Sequence, residues 1–225
     1  MMKLVKNLFS FLLIFVLLFH IVFIAISASY VLYLKYHNPS TTPLMELRKN
    51  QYKLSNVKQS FVKLKNIPRN VIKIVLIAED CNFYSHPGID VEGMKLAFQR
   101  NLRKGTYYYG GSTISQQTAR TLMLTPEKSL FRKYLELVLT FEMETILGKN
   151  RILELYLNYA EWGKGIFGIQ AASEYFFGKG IRELSPEEDI SLVAILPNPK
   201  KYTPFSTSRL VQSRIELIKD YYYQQ

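Results

Sequence analysis

Ala78-Glu79-Asp80-Cys81-Asn82-Phe83-Tyr84-Ser85-His86-Pro87-Gly88-Ile89-Asp90, followed by Gly110-Gly111-Ser112-Thr113-Ile114-Ser115-Gln116-Gln117, is the stretch on which the reading of this chain turns. It sets a carboxylate pair, an aromatic ring and a histidine ahead of a glycine-opened segment rich in hydroxyls and amides. Such side chains can hold a sugar and move a proton. Glu79 and Asp80 close an apolar run, Val71, Ile74, Val75 and Ala78 at helical spacing after Pro68. Negative charge at a helix end opposes the dipole, so two merely solvated helix-end residues are the poorer reading. An unfavourable residue in an otherwise well-capped sequence marks a site. Apolar surface beside Glu79 suits it to accept a proton from a sugar hydroxyl.

Outward from this stretch the punctuation is helical. Asp90 can cap a helix to about Leu102 with Val91, Met94, Ala97 and Phe98 on its inner face. Residues 100–111 read as a glycine- and tyrosine-rich mobile loop, and Ile114 to Leu124 as helix again. Thr125-Pro126 then starts a long helix in which Phe131, Leu135, Val138 and Phe141 repeat until Gly148. Asn150 caps another through Leu157. Ser185-Pro186-Glu187-Glu188 is a capping box ahead of Ile190, Val193 and Ala194, and Pro197 stops that helix. Tyr221-Tyr222-Tyr223 reads as a frayed end. Few stretches alternate with period two, so the fold class is mainly α.

The 225 residues hold one domain of ordinary size and an appendage. Residues 8–28 form an uncharged run of 21 residues interrupted only by Ser10, His20 and Ser27. About 20 apolar residues cross a bilayer core, whereas signal-peptide cores run to about 7–15, so an uncleaved anchor is expected. Lys3 and Lys6 before it fit a cytoplasmic N-terminus. Residues 36–60, polar and including Asn38-Pro39-Ser40-Thr41-Thr42-Pro43, read as a stalk. The expected division is therefore residues 1–34 as tip and anchor, 35–60 as stalk and 61–225 as the catalytic domain.

Twenty-nine Lys and Arg against eighteen Asp and Glu leave a net charge of +11, and the chain without Lys3 and Lys6 keeps +9. A basic domain held at a bilayer is drawn to anionic headgroups and phosphate-bearing lipids. No recognised nucleic-acid motif accompanies the charge, so no nucleic-acid partner is expected. Cys81 is the only cysteine, and His20 is one of only three histidines. An intrachain disulfide and a cysteine-based zinc site are excluded, and a His-rich metal site is disfavoured.

A second carboxylate, Glu136, follows Arg132 by one helical turn, with Lys133 between them. Such an i, i+4 pair is commonly a surface pair worth a few tenths of a kcal/mol (about 0.2–0.5). Here the surrounding helix is apolar around most of its circumference, so its charges should gather at a groove. Two other patterns fail. Residues 105–112 have P-loop spacing, but Gly111 stands where the lysine belongs. Ser55-x-x-Lys58 and Ser60-x-x-Lys63 match the penicillin-binding nucleophile by letters only, without Lys-Thr-Gly.

Glu79-Asp80-x-x-Phe83-x-x-His86-x-Gly88-x-Asp90 resembles the first motif of the peptidoglycan glycosyltransferases, carbohydrate family 51. Gly111-Ser112-Thr113-Ile114-Ser115-Gln116-Gln117 resembles the second and Arg132-Lys133-x-x-Glu136 the third. Lys149-x-x-Ile152-Leu153-Glu154-x-Tyr156-Leu157-Asn158 is similar to the fourth. Gly165-x-x-Gly168-Ile169-x-Ala171-Ala172-x-x-Tyr175-Phe176 with Gly178-Lys179 is similar to the fifth. Five motifs in order cover residues 67–180, and Leu196-Pro197-x-Pro199-x-x-Tyr202-x-Pro204 fits as well. Gln116-Gln117-Thr118-Ala119 and Asn158-Tyr159-Ala160-Glu161-Trp162-Gly163 resemble the monofunctional branch, with which an end at Gln225 and no transpeptidase domain agrees. Arg120 stands where the family usually has lysine, exchanging a point donor for a fork.

The resemblance implies a lysozyme-like glycosyltransferase domain behind an N-terminal transmembrane helix. It implies polymerisation of lipid II into glycan strands at the outer face of the cytoplasmic membrane, by inverting transfer with release of polyprenyl pyrophosphate. The implied catalytic pair is Glu79, the base, and Glu136, which orients cations or assists at the donor. Arg132, Lys133 and Arg120 would stabilise the leaving pyrophosphate; Asp80, Phe83, His86, Thr113 and Gln117 would hold saccharide and backbone geometry. No cofactor is required by the sequence, although a divalent Mg or Mn ion can sit on the substrate pyrophosphate. The implied partners are lipid II, the nascent glycan strand, membrane lipids and other cell-wall synthesis or division proteins. The loop at 100–111 would form a mobile wall between donor and acceptor sites. The rivals are a lysozyme-like lytic enzyme and a non-catalytic anchored scaffold.

Overall fold

A computed structural model describes residues 2–104, 110–127 and 129–224. Among these, the chain folds into ten α-helices and three short strands. Helix α1 (Met2–Tyr36) is followed by α2 (Pro43–Gln51), strand β1 (Lys58–Gln59), α3 (Arg69–Glu79), α4 (Val91–Lys104), α5 (Ile114–Met123) and α6 (Leu130–Ile146). Then come α7 (Lys149–Tyr159), β2 (Glu161–Gly163), β3 (Ile166–Phe167), α8 (Ile169–Phe177), α9 (Pro186–Ala194) and α10 (Arg209–Tyr223). The mainly α class expected from the sequence is what forms. The strands make one small sheet in the order β1-β3-β2, with β1 parallel and β2 antiparallel to β3.

Helix α7 is the axis of the domain, because Ile152, Leu153, Leu155, Tyr156, Leu157, Asn158 and Tyr159 are all buried on it. Helix α5 packs on α7 and on α6, while α3, α9 and α10 pack together on another side. Gly168 makes the entry to α8. Its φ is +81°, and a Cβ there would lie 2.7 Å from the carbonyl oxygen of Asn158, so only glycine fits.

Helix ends follow the capping chemistry. Ser185 and Glu188 form the expected capping box behind Pro186, and Thr113 with Gln116 forms one at α5. The start of α6 differs from the reading at Thr125-Pro126. Ser129 is its N-cap, accepting from the Arg132 amide at 3.0 Å, and the helix begins at Leu130. A hydroxyl at the cap outcompetes a proline placed three residues earlier. Likewise α7 begins two residues earlier than an Asn150 cap would allow, with Gly148 as N-cap.

The apolar stripe expected on the inner face of α4 does not face the core, and part of the apolar repeat of α6 is exposed as well. On α4, Val91, Met94 and Phe98 are exposed, and so are Leu96 and Leu102. On α6, Phe131 and Phe141 are exposed, while Glu136, Leu139, Thr140 and Met143 turn inward. Periodicity finds an apolar face but not what covers it. Residues 100–104 of the expected loop belong to α4, and residues 105–109 lie outside the described residues. Tyr221-Tyr222-Tyr223 is helical within α10.

Helix α1 runs without a break from the apolar span to the domain, and among the described residues it is the one helix long and apolar enough to cross a membrane. Its upper part packs on α6. Ser27 Oγ donates to Glu142 at 2.9 Å, and Val31 and Leu34 are buried. Arg151 of α7 donates to the carbonyls of Leu34 (2.9 Å) and His37 (2.8 Å). The segment read as a stalk contains α2, whose Met45 is buried and whose Arg48 pairs with Glu161 at 2.9 Å, so it packs onto the domain.

One buried group makes stability depend on pH away from the site. Asp189 on α9 accepts from Asn70 of α3 at 2.7 Å. Burial, then the charge of Glu188, pushes its carboxyl up to about 7 despite that bond. The folded state therefore favours the protonated acid. Its contribution to stability is complete below the ordinary value near 3.8 and is lost as pH rises through about 7. Thermal midpoints taken at pH 5 and pH 8 should fall between the two for the native chain and stay level for Asp189→Asn.

Candidate active site

The end of α3 is fastened by its own next residue. Asp80, buried, takes the imidazole Nε2 of His86 at 3.0 Å and the backbone N–H of Ile114 at 2.9 Å. The Gly88 N–H donates to His86 Nδ1 at 3.1 Å, which leaves Nε2 as the nitrogen that carries a proton toward Asp80. Thr113 Oγ1 donates to the Gly88 carbonyl at 2.6 Å. Burial raises the Asp80 carboxyl above its ordinary range, with the Ile114 amide and His86 working against it. Phe83 is fully buried beneath His86, with Lys149 over its ring at 4.5 Å. The first and second sequence motifs thus form one closed cage, in which Asp80, His86 and Thr113 hold backbone and the buried Phe83 ring packs.

Glu79 stands on the rim of that cage. Gln117 of α5 donates to its Oε2 at 3.0 Å, and Arg214 of α10 donates to its Oε1 and to the Ala78 carbonyl at 3.0 Å. The buried hydroxyl of Tyr156 meets Gln117 Oε1 at 3.4 Å. Burial, and next the charge of Glu79, holds that phenol well above its ordinary range. Sequence alone placed apolar surface beside Glu79; the structure places a guanidinium and an amide there.

One turn along α5 from Gln117, Arg120 reaches a second cluster. Glu136, with no solvent exposure, accepts from Arg120 at 3.2 Å, Arg132 at 2.5 Å and Lys133 at 2.5 Å. Burial pushes its carboxyl up, but the bonds from Lys133 and Arg132 and the charge of Arg120 outweigh that and hold it below the ordinary range. The surface-pair reading of Arg132 and Glu136 therefore fails. Arg120 and Lys133 each keep about a third of their side chain exposed (32% and 35%), enough to offer donors to an anion. All ten candidate residues fall into these two groups, joined through α5.

The sequence profile of the transglycosylase family matches residues 46–222. The biosynthetic peptidoglycan transglycosylase of Thiobacillus denitrificans is 42% identical over 189 residues, covering 82% of each chain. That of Aromatoleum aromaticum is 43% identical over 176 residues, 76% of each. That of Chromobacterium violaceum is 35% identical over 201 residues, 84% of this chain and 88% of the relative. The chain belongs to the transglycosylase family.

In this transglycosylase two site residues had no signal in the local sequence. Arg214 reaches the base from α10, and Glu144 of α6 takes Ser115 and Lys149, whereas Tyr156, which meets Gln117, stood in the fourth motif without a role. Each is an ordinary residue on an amphipathic helix until the helices pack. Among the described residues no group of three or more His, Cys, Asp and Glu side chains could hold a metal. The one fully buried carboxylate of the cation cluster is already taken by three cations. A Mg or Mn ion would therefore be held mainly by substrate phosphates, as Mg commonly is.

Gly88 of this transglycosylase has φ +101°, and a Cβ there would come within 2.8 Å of Thr140 Cγ2 and 2.9 Å of Glu144 Cγ. Gly88→Ala should cost about 1–3 kcal/mol and dislodge both His86 and Thr113. A lowered thermal midpoint together with lost activity is the expected result.

Proposed function

We propose that this transglycosylase polymerises lipid II into glycan strands. One observation carries the reading. A single carboxylate at a helix end, Glu79, and a cluster of three cations on a buried glutamate lie one turn apart along α5, joined by Gln117 and Arg120. A hydrolase needs a carboxylate but has no use for a pyrophosphate-sized cation cluster.

The 4-hydroxyl oxygen of incoming lipid II forms a bond to the anomeric carbon of the growing strand, and Glu79 takes the hydroxyl proton. The bond from that carbon to the pyrophosphate breaks, with inversion, and the electron pair leaves on the phosphate oxygen. Arg120, Arg132 and Lys133 stabilise the charge that develops there. Glu136 has no lone pair facing solvent and acts by holding these three cations in place. A Mg or Mn ion on the pyrophosphate would supply further charge neutralisation.

The lipid-linked substrates suit a domain seated on the bilayer. Leu96, Phe98, Leu102, Leu130 and Phe131 are exposed on α4 and α6, and Phe131 lies 6.4 Å from Phe19 of the span. An apolar cavity of about 330 Å³ opens between α1, α5 and α6, lined by Phe23, Tyr30 and Leu122 among others. In this reading α1 crosses the cytoplasmic membrane once, with Lys3 and Lys6 inside and the catalytic domain on the extracytoplasmic side. The partners are lipid II, the nascent strand and membrane lipids, with other wall-synthesis or division proteins as further candidates.

The test is to incubate the full chain in detergent or liposomes with labelled lipid II. Muramidase-sensitive polymer with release of polyprenyl pyrophosphate is expected. Unchanged lipid II, with shortening of pre-formed glycan instead, would establish the lytic alternative; no turnover of either would point to a scaffold.

A further inference from the structure

We propose that Arg214 is a positioning residue for the catalytic base, a role that rests on the function proposed above. Arg214 is buried on α10, 135 positions along the chain from Glu79, and ion-pairs with its Oε1. The same nitrogen also donates to the Ala78 carbonyl at 3.0 Å. It therefore holds the side chain of the base and the backbone of the last turn of α3 together.

Glu79 is an unfavourable residue where it stands, since the last carbonyls of α3 already present negative charge. A guanidinium bonded to one of those carbonyls and to the carboxylate offsets both. Among the described residues this guanidinium has no other hydrogen-bond partner, and its buried Nε–H makes none. It is not part of a wider structural network and serves this one corner. With Arg214 on Oε1 and Gln117 on Oε2, the carboxylate plane is fixed from two sides, and one lone pair on each oxygen stays available to a hydroxyl.

The charged and titratable groups gathered at this corner are Asp80 beside Glu79, Tyr156 from α7, Arg120 from α5 and Arg214 from α10. Arg214 is the cation in direct contact with Glu79, and the nitrogen it shares with the Ala78 carbonyl fixes where that carboxylate stands. Its removal should loosen the carboxylate.

The experiment compares the full chain with Arg214→Gln and Arg214→Lys, using labelled lipid II, with thermal midpoints on all three. For Arg214→Gln the expected result is a kcat lowered about 10- to 100-fold with KM little changed. Arg214→Lys keeps the charge and a donor and should restore part of that kcat. A glutamine variant whose loss follows its thermal midpoint or falls on KM, with lysine restoring none of the rate, would overturn the proposal. So would full activity in that variant. A native chain that makes no polymer overturns the proposed function and this inference with it, whereas an active native chain with an indifferent Arg214→Gln overturns this inference alone.

Discussion

Glu79→Gln should bring glycan synthesis down by about 10²- to 10⁴-fold, the range that a lost general base produces. The substitution keeps the volume and the two-armed shape of the side chain but removes its capacity to take a proton. One arm becomes an amide donor and must face either Gln117 Nε2 or Arg214, both of which donate to the native carboxylate. A local readjustment is expected, and Arg214 loses its counter-charge. The stability cost should nevertheless be modest, about 1–3 kcal/mol, because the cage below rests on Asp80 and not on Glu79. Rate and fold therefore separate. Initial rates with labelled lipid II should collapse while the thermal midpoint falls by only a few degrees. Glu79→Asp retains charge but withdraws the oxygens by one methylene, and should sit between the two. Polymer formed by Glu79→Gln at the native rate would remove the base from the mechanism.

The parts of this site that sequence revealed are those whose partners lie close along the chain. Asp80, His86, Gly88 and Thr113 fall within 34 positions and close on one another; the family resemblance picked out these residues as holding saccharide and backbone geometry, while the closed cage itself shows only in the fold. Arg132, Lys133 and Glu136 share one helical turn, so their meeting was legible as well; that the carboxylate would be wholly buried was not. Arg214 was invisible for the opposite reason. Its link to Glu79 depends on α10 crossing α3, and nothing near Arg214 announces it. The same limit explains α2, whose place is set by Arg48 reaching Glu161, 113 positions away. The outward stripes of α4 and α6 show a different limit. Hydrophobic periodicity reports that a face avoids water, and a bilayer satisfies that as well as a protein core does.

Removing the charge of Glu136 should damage both fold and catalysis, and the two effects have different sizes. In Glu136→Gln, Arg120, Arg132 and Lys133 lose their shared counter-ion at a position with no solvent exposure. Breaking a fully buried pair costs about 3–5 kcal/mol. Here all three cations keep some exposure and can rehydrate, so about 2–3 kcal/mol is expected. The catalytic loss should be larger. Three cations that repel one another will turn outward, and an anion-stabilising group held out of position costs about 10²- to 10³-fold in kcat. Titration separates this site from Asp189. The Glu136 carboxyl is held below its ordinary value of 4.5, so its contribution to stability is present above that pH and is lost as pH falls through the depressed folded value. Glu136→Gln should therefore flatten the acid side of the stability curve, where protonating this group costs the native chain stability, and leave the slope between pH 5 and pH 8 unchanged. Thermal midpoints from pH 3 to pH 8 on both chains measure it. A variant that keeps the native acid slope while losing activity would mean that the three cations, and not the glutamate, carry the whole of the effect.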